Sequence, residues 1–237
     1  MHPARTLILY TGGTIGMQMS ASGLAPASGF EARLRAEQAR QPQRAVPAWR
    51  FHELSPPIDS ANLNQRHWLA MRAAIVAAVD QDGCDGVLLL HGTDTLAYTA
   101  AALSFLLLGL PVPVLLTGSM LPAGVAGSDA WDNLFGALAR LRQGVPHGVQ
   151  VYFHGRLLHG ARVSKRNSEA FDAFDEARRP RQGARAAVPP ALDYRLPCHG
   201  VNLAVQPLFP GLRAEQLQAV LASGVQGLLL ECYGSGT

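Results

Sequence analysis

Aliphatic residues fall in short runs, separated by stretches with helical spacing. The runs at residues 7–10, 50–54, 86–91, 112–117 and 149–154 predict strands. Most of these runs are apolar without alternation, as in strands covered on both faces. Between them the spacing predicts helices at about residues 65–79, 94–108 and 128–142. In the first helix, Trp68, Met71, Ile75 and Val79 recur at intervals of three and four and form one apolar face. The third places Ser128 as N-cap, Asp129 and Asp132 in the positive first turn, and Arg140 and Arg142 in the negative last turn. Gly144 and Pro146 close it. Strand–helix alternation predicts an α/β fold on a parallel sheet, with ligands bound in the loops that follow the strands.

Residues 95–128 carry no charge, and the stretch 96–116 is apolar enough to suggest a membrane span. Gly109, Pro111 and Pro113 divide it, so a helix ends near Leu108 and a buried strand follows. No flanking cluster of Lys or Arg supports a span either. Residues 179–200 are rich in proline and arginine without periodicity and read as a linker between a domain at 1–178 and a short unit at 201–237. That unit has a strand near 203–207, a helix near 213–222 and a strand at 227–231, too little to enclose a core alone.

Composition narrows the classes. With 48% hydrophobic and 16% charged residues the chain is not disordered, and 24 Gly and 16 Pro without a period exclude a collagen-like repeat. A net charge of +3 is too small to argue for nucleic acid, and the arginines of 178–185 follow Asp172, Asp175 and Glu176 in what reads as a solvated loop. Cys84, Cys198 and Cys232 are odd in number and lack C-x-x-C spacing. They predict neither a disulfide framework nor a thiolate metal site, and they suit a reducing, cytoplasmic setting.

The chemistry clusters at strand ends. The first strand runs into Thr11-Gly12-Gly13-Thr14-Ile15-Gly16, which resembles a phosphate loop but has Thr11 at the first glycine position of G-x-G-x-x-G. Its alternative reading is a tight turn flanked by two hydroxyls. The third strand ends in His91-Gly92-Thr93-Asp94-Thr95, where Asp94 is either a helix cap or a functional carboxylate. A threonine hydroxyl needs a base to become a nucleophile. Of the 20 Lys and Arg residues only Lys165 is lysine, and lysine, unlike arginine, can give up its proton. Lys165 follows the fifth strand, on the same rim as both threonine turns.

The segments YTGGTIGM (10–17), LHGTDT (90–95) and TGSM (117–120) with Ser128-Asp129, and residues 160–165, together resemble bacterial-type L-asparaginases, with a type I, cytoplasmic flavour. The resemblance implies a parallel-sheet, Rossmann-like N-terminal domain followed by the start of a small second α/β domain. It implies hydrolysis of L-asparagine to aspartate and ammonia with no cofactor and no metal. Thr14 would be the nucleophile, with Thr93, Asp94 and Lys165 as a second hydroxyl–carboxylate–amine set. Asp94 would also hold the substrate ammonium and Ser60 its carboxylate, while Gly13 and Gly92 admit the backbone donors that acyl transfer requires. A homo-oligomer, dimer or tetramer, is implied as well, with no nucleic-acid or membrane partner. In the family a complete second domain finishes the neighbouring subunit's site, and here that domain begins near Gly200. Two positions depart from the family pattern: Leu24 stands where the mobile loop often has tyrosine, and Glu231 where an allosteric arginine can stand. A glutaminase, a tRNA-amidotransferase subunit, an inactive asparaginase-like chain and a nucleotide-binding module are the competing readings.

Overall fold

The computed structural model describes residues 5–20, 23–177, 187–234 and 236 and divides into two units, Met1–Pro197 and Cys198–Thr237. The first unit is built on a six-stranded sheet in the order β4-β1-β5-β6-β7-β8. Its strands are β1 (Arg5–Gly12), β4 (Ala48–Ile58), β5 (Gly86–Leu90), β6 (Pro113–Thr117), β7 (Gly148–Phe153) and β8 (Arg156–His159). All neighbours are parallel except β7 and β8, which form an antiparallel hairpin. The hairpin turns through His154 (φ 47°) and Gly155 (φ 74°), two successive positive φ values that match the strand twist.

Every residue of β5 is buried, because helices cover both sides of the strand. Leu7, Leu9, Val87, Leu89, Val114 and Leu116 face α2 (Gln65–Asp80) and α3 (Leu96–Leu106). The alternate positions Ile8, Tyr10, Leu88, Leu90 and Leu115 face α1 (Phe30–Arg40) and α4 (Ala130–Gln143). The apolar stretch is therefore divided between a helix and a buried strand: α3 is only 11 residues long, burying Leu96, Thr99, Ala100 and Leu103 along one stripe and exposing Tyr98 and Phe105, and β6 follows it. No helix among the described residues is long and apolar enough to cross a membrane.

Several elements escape the hydrophobic pattern. Helix α1 buries only Phe30 and Leu34 and starts from Gly29 in the left-handed region rather than from a Ser, Thr or Asp cap. Strands β2 (Gln18–Ser20) and β3 (Gly23–Ala25) form a hairpin with Met19 opposite Leu24. Strands β9 (Val163–Lys165) and β10 (Phe174–Glu176) form another, with Lys165 opposite Phe174. Three-residue strands carry too little periodicity to be read. Helix α4 begins at Ala130 with Asp129, not Ser128, in the cap position; Ser128 Oγ nevertheless accepts from Ala130 N at 3.1 Å.

The first unit also extends further along the chain than the expected domain at 1–178. Tyr194 is buried, donates its hydroxyl to Asp80 Oδ1 at 2.8 Å and its N–H to Leu108 O at 2.9 Å. Arg72 on α2 donates to the carbonyls of Tyr194 and Leu196. Most of the arginine-rich segment, residues 178–186, lies outside the described residues. The second unit is a βαβ: β11 (Leu203–Pro207), α5 (Ala214–Ala222) and β12 (Gly227–Glu231), with β11 and β12 parallel. None of its helix residues is buried, and Leu203, Val205, Leu229 and Leu230 are exposed.

Candidate active site

At the C-terminal edge of the sheet, the turns after β1, β4 and β5 meet at backbone distance. Gly13, with φ 80° and ψ 177°, occupies a conformation that only glycine adopts readily. A Cβ there would lie 2.3 Å from Gly92 N, so the chain segments leading into Thr14 and Thr93 touch. A Cβ on Gly92 would in turn lie 2.5 Å from Ser60 Oγ. Ser60 is buried at the start of a 3-10 turn after β4, and its carbonyl accepts the Thr95 hydroxyl at 2.9 Å. Four of the residues singled out in the sequence, Gly13, Thr14, Ser60 and Gly92, thus share one junction.

Thr14 opens a 3-10 turn that the fully buried Ile15 anchors. The turn is held at its far end by Arg33 of α1, whose Nη2 donates to Gly16 O at 2.8 Å. Tyr10 lies beneath, stacked on Phe30 with centroids 5.2 Å apart and donating to Ala27 O at 3.0 Å. Burial pushes the Tyr10 hydroxyl up to about 12, which keeps it a neutral donor. Among the described residues the Thr14 hydroxyl makes no hydrogen bond to protein.

Thr93, Asp94 and Lys165 come together directly. Lys165 Nζ donates to Thr93 Oγ1 at 2.9 Å and to Asp94 Oδ1 at 2.7 Å. Asp94 does not cap the helix: Thr95 occupies that position, and the Asp94 carboxylate turns to the lysine instead. Lys165 reaches the site because the β9–β10 hairpin folds back under it. Val163 and Phe174 are buried, Phe174 meets Phe153 edge-on at 4.8 Å, and Arg166 N donates to Ala173 O. Arg156 on β8 bridges Asp172 at 2.9 Å and Asp175 at 2.8 Å, and Arg162 pairs with Glu176. These acids look in the sequence like a solvated run; in the fold they clamp the lysine hairpin. The guanidinium of Arg156 holds the Asp175 carboxyl below the usual range.

Asp129, read in the sequence as a first-turn acid and as part of a motif, and Asn133, which the sequence did not single out, act together on the backbone of the site region. The carboxylate of Asp129 accepts from Met120 N and Leu121 N, while Asn133 joins Gly118 O to Asp129 and accepts from His154 N. The pair fixes the turn after β6, whose Gly118 packs against the His91 carbonyl. His91 itself is buried between Gly92 O, 2.7 Å from Nδ1, and Thr99 Oγ1, 2.9 Å from Nε2. Leu24 is half exposed on its hairpin. Tyr98 lines a cleft with Asp94, Ser164 and Lys165. Among the described residues no cluster of His, Cys, Asp and Glu is arranged to hold a metal ion.

A solitary amine, a hydroxyl and a carboxylate in contact, beside a second hydroxyl on a glycine turn, suit acyl transfer at a carbonyl: one hydroxyl to attack, one base to carry the proton. Comparison with known proteins points the same way. A family model described as asparaginase, N-terminal, matches residues 5–192. The chain is 36% identical over 240 residues to L-asparaginase 1 of Escherichia coli (strain K12), covering 97% of this chain and 70% of that protein. The crystal structure of L-asparaginase I from Vibrio cholerae matches with a TM-score of 0.82 at 30% identity, over 99% of this chain and 74% of that one. The thermostable L-asparaginase of Thermococcus kodakarensis matches with a TM-score of 0.77 at 35% identity, over 98% and 72%.

Proposed function

The chain belongs to the asparaginase family, and from that premise we propose that it hydrolyses L-asparagine to L-aspartate and ammonia, with no metal or organic cofactor. The observation that carries the reading is the contact of Lys165 Nζ with Thr93 Oγ1 and Asp94 Oδ1, next to the Gly13–Gly92 junction from which Thr14 projects. Thr14 Oγ1 bonds to the side-chain carbonyl carbon, the C–N bond breaks, and the nitrogen leaves as ammonia with the hydroxyl proton. Water then cleaves the ester and restores Thr14. The proton of the attacking hydroxyl passes by way of Thr93 to Lys165 and is returned to the departing nitrogen, while Asp94 balances the charge on Lys165. Asp94 also meets the substrate's α-ammonium, and Ser60 its α-carboxylate.

The protein acts in the cytoplasm as a homo-oligomer, dimer or tetramer; the apolar side chains exposed on the second unit support association. Glutamine is the competing substrate, and a pocket distinguishes one methylene by only about 10–200-fold.

The test is ammonia release from asparagine and glutamine side by side. Thr14→Val lowers turnover by more than about 10³-fold with unchanged circular dichroism, as loss of a nucleophile does. Lys165→Arg, which keeps the charge but cannot act as a base, loses on the order of 10²–10⁴-fold. Wild-type turnover in Thr14→Val removes that residue from the mechanism, and substantial activity in Lys165→Arg reduces the lysine to a fixed cation.

A further inference from the structure

His91 is a polar side chain that the proposed chemistry does not use, yet it is 1% exposed and hydrogen-bonded at both nitrogens. Its partners fix where its protons are. Gly92 O is a carbonyl and only accepts, so Nδ1, at 2.7 Å, carries the hydrogen. Burial drives the ring's pKa down to about 4, so the ring is neutral and Nε2 is a bare acceptor. Thr99 Oγ1, 2.9 Å away, must then donate to it. The same Oγ1 receives the indole N–H of Trp68 at 2.9 Å, a group that can only donate. The chain therefore runs one way, from Trp68 on α2 through Thr99 on α3 and His91 to the Gly92 carbonyl.

That carbonyl belongs to the peptide joining Gly92 to Thr93. In a planar trans peptide the C=O and N–H point in opposite directions, so holding the first towards the helical core sends the second the other way. Thr93 is buried, and among the described residues its N–H has no protein acceptor. Its hydroxyl is already engaged by Lys165.

We propose that His91 is a positioning residue for amide hydrolysis: by gripping the Gly92 carbonyl it aims the Thr93 N–H at the oxyanion that forms when the substrate carbonyl is attacked. Thr99 and Trp68 lock the ring in the tautomer that can do this. The inference rests on the hydrolase reading above. It asks the two helices on one face of the sheet to set a donor on the opposite side of a single peptide.

The ring's tautomer is read by long-range ¹H–¹⁵N correlation on the labelled protein, with His91→Gln assigning the signal. The expected pattern is a protonated Nδ1 and a bare Nε2 that persist between about pH 5.5 and about pH 8. A protonated Nε2, or a ring that titrates in that range, overturns the proposal whether or not the protein releases ammonia. The kinetic arm uses Thr99→Val, which removes the donor to Nε2. Turnover of asparagine falls about 10²-fold, the scale of a misplaced catalytic group, with KM changed less than about threefold. Thr99→Ser, which restores the hydroxyl, recovers turnover to within a few-fold. Wild-type turnover in folded Thr99→Val, or a change confined to KM, sinks the proposal. Should Thr99→Val fail to fold, Trp68→Phe is measured in its place, with the same split expected at smaller size and the same outcomes overturning it. A wild-type protein that releases no ammonia counts against the hydrolase reading, while the tautomer is still read independently.

Discussion

A neutral imidazole in an apolar shell makes stability depend on pH. The His91 ring titrates near 4 in the folded chain and near its ordinary 6.5 when unfolded. As pH falls from 6.5 the unfolded chain takes up the proton first, so folding weakens steadily and the full loss is reached below 4. The difference amounts to about 3 kcal/mol for this one group. Urea titrations at about pH 7 and about pH 4.5 should show most of that loss in the wild type but not in His91→Gln; the same pH dependence in both would place the ring's titration elsewhere. At this scale Lys165 was legible because it is the one lysine among 20 basic residues. The roles of His91 and Asn133 were not, since only the fold turns the His91 ring onto Thr99 and brings Gly118 O and His154 N to Asn133.

Between the strands, fit is decided at backbone distance. Gly92→Ala would force a methyl group within 2.5 Å of Ser60 Oγ, and the turn after β4 would have to give way. We expect this substitution to lower the melting temperature and to reduce turnover by more than about 10²-fold, since it shifts the Thr93 segment. Adding Ser60→Gly removes the obstructing side chain. The double variant should regain melting temperature without regaining turnover, and additive losses would show that the two turns are not coupled there. The apolar runs of β1, β5 and β6 announced themselves in the sequence because central parallel strands are buried on both faces. Helix α1 did not, with Phe30 and Leu34 as its only buried side chains, and the Lys165 hairpin is held by ion pairs that no hydrophobic pattern records.

The molecule as a whole consists of a large α/β unit and a small βαβ unit, each with its own sheet. The small one leaves Leu203, Val205, Phe209, Leu229 and Leu230 open to solvent, apolar side chains that a partner copy could cover. Sedimentation should accordingly give at least twice the 25.2 kDa chain mass, and a monomeric boundary at working concentration would refute assembly. The alternation of elements foretold the α/β class and the late strand–helix–strand. The extent of the first unit was hidden, because a proline-rich stretch reads as a spacer even when an aromatic ring in it is fully enclosed.

Tyr194 decides where this polypeptide can be shortened. Its ring fills a socket formed beneath α2 and α3, and Arg72 clasps the carbonyls of Tyr194 and of Leu196 just after it. A piece ending at 177 loses that plug and should melt about 10 °C lower than one ending at 197, in keeping with about 3 kcal/mol for a vacated aromatic site. Cutting at the apparent spacer would leave a hole in the wall.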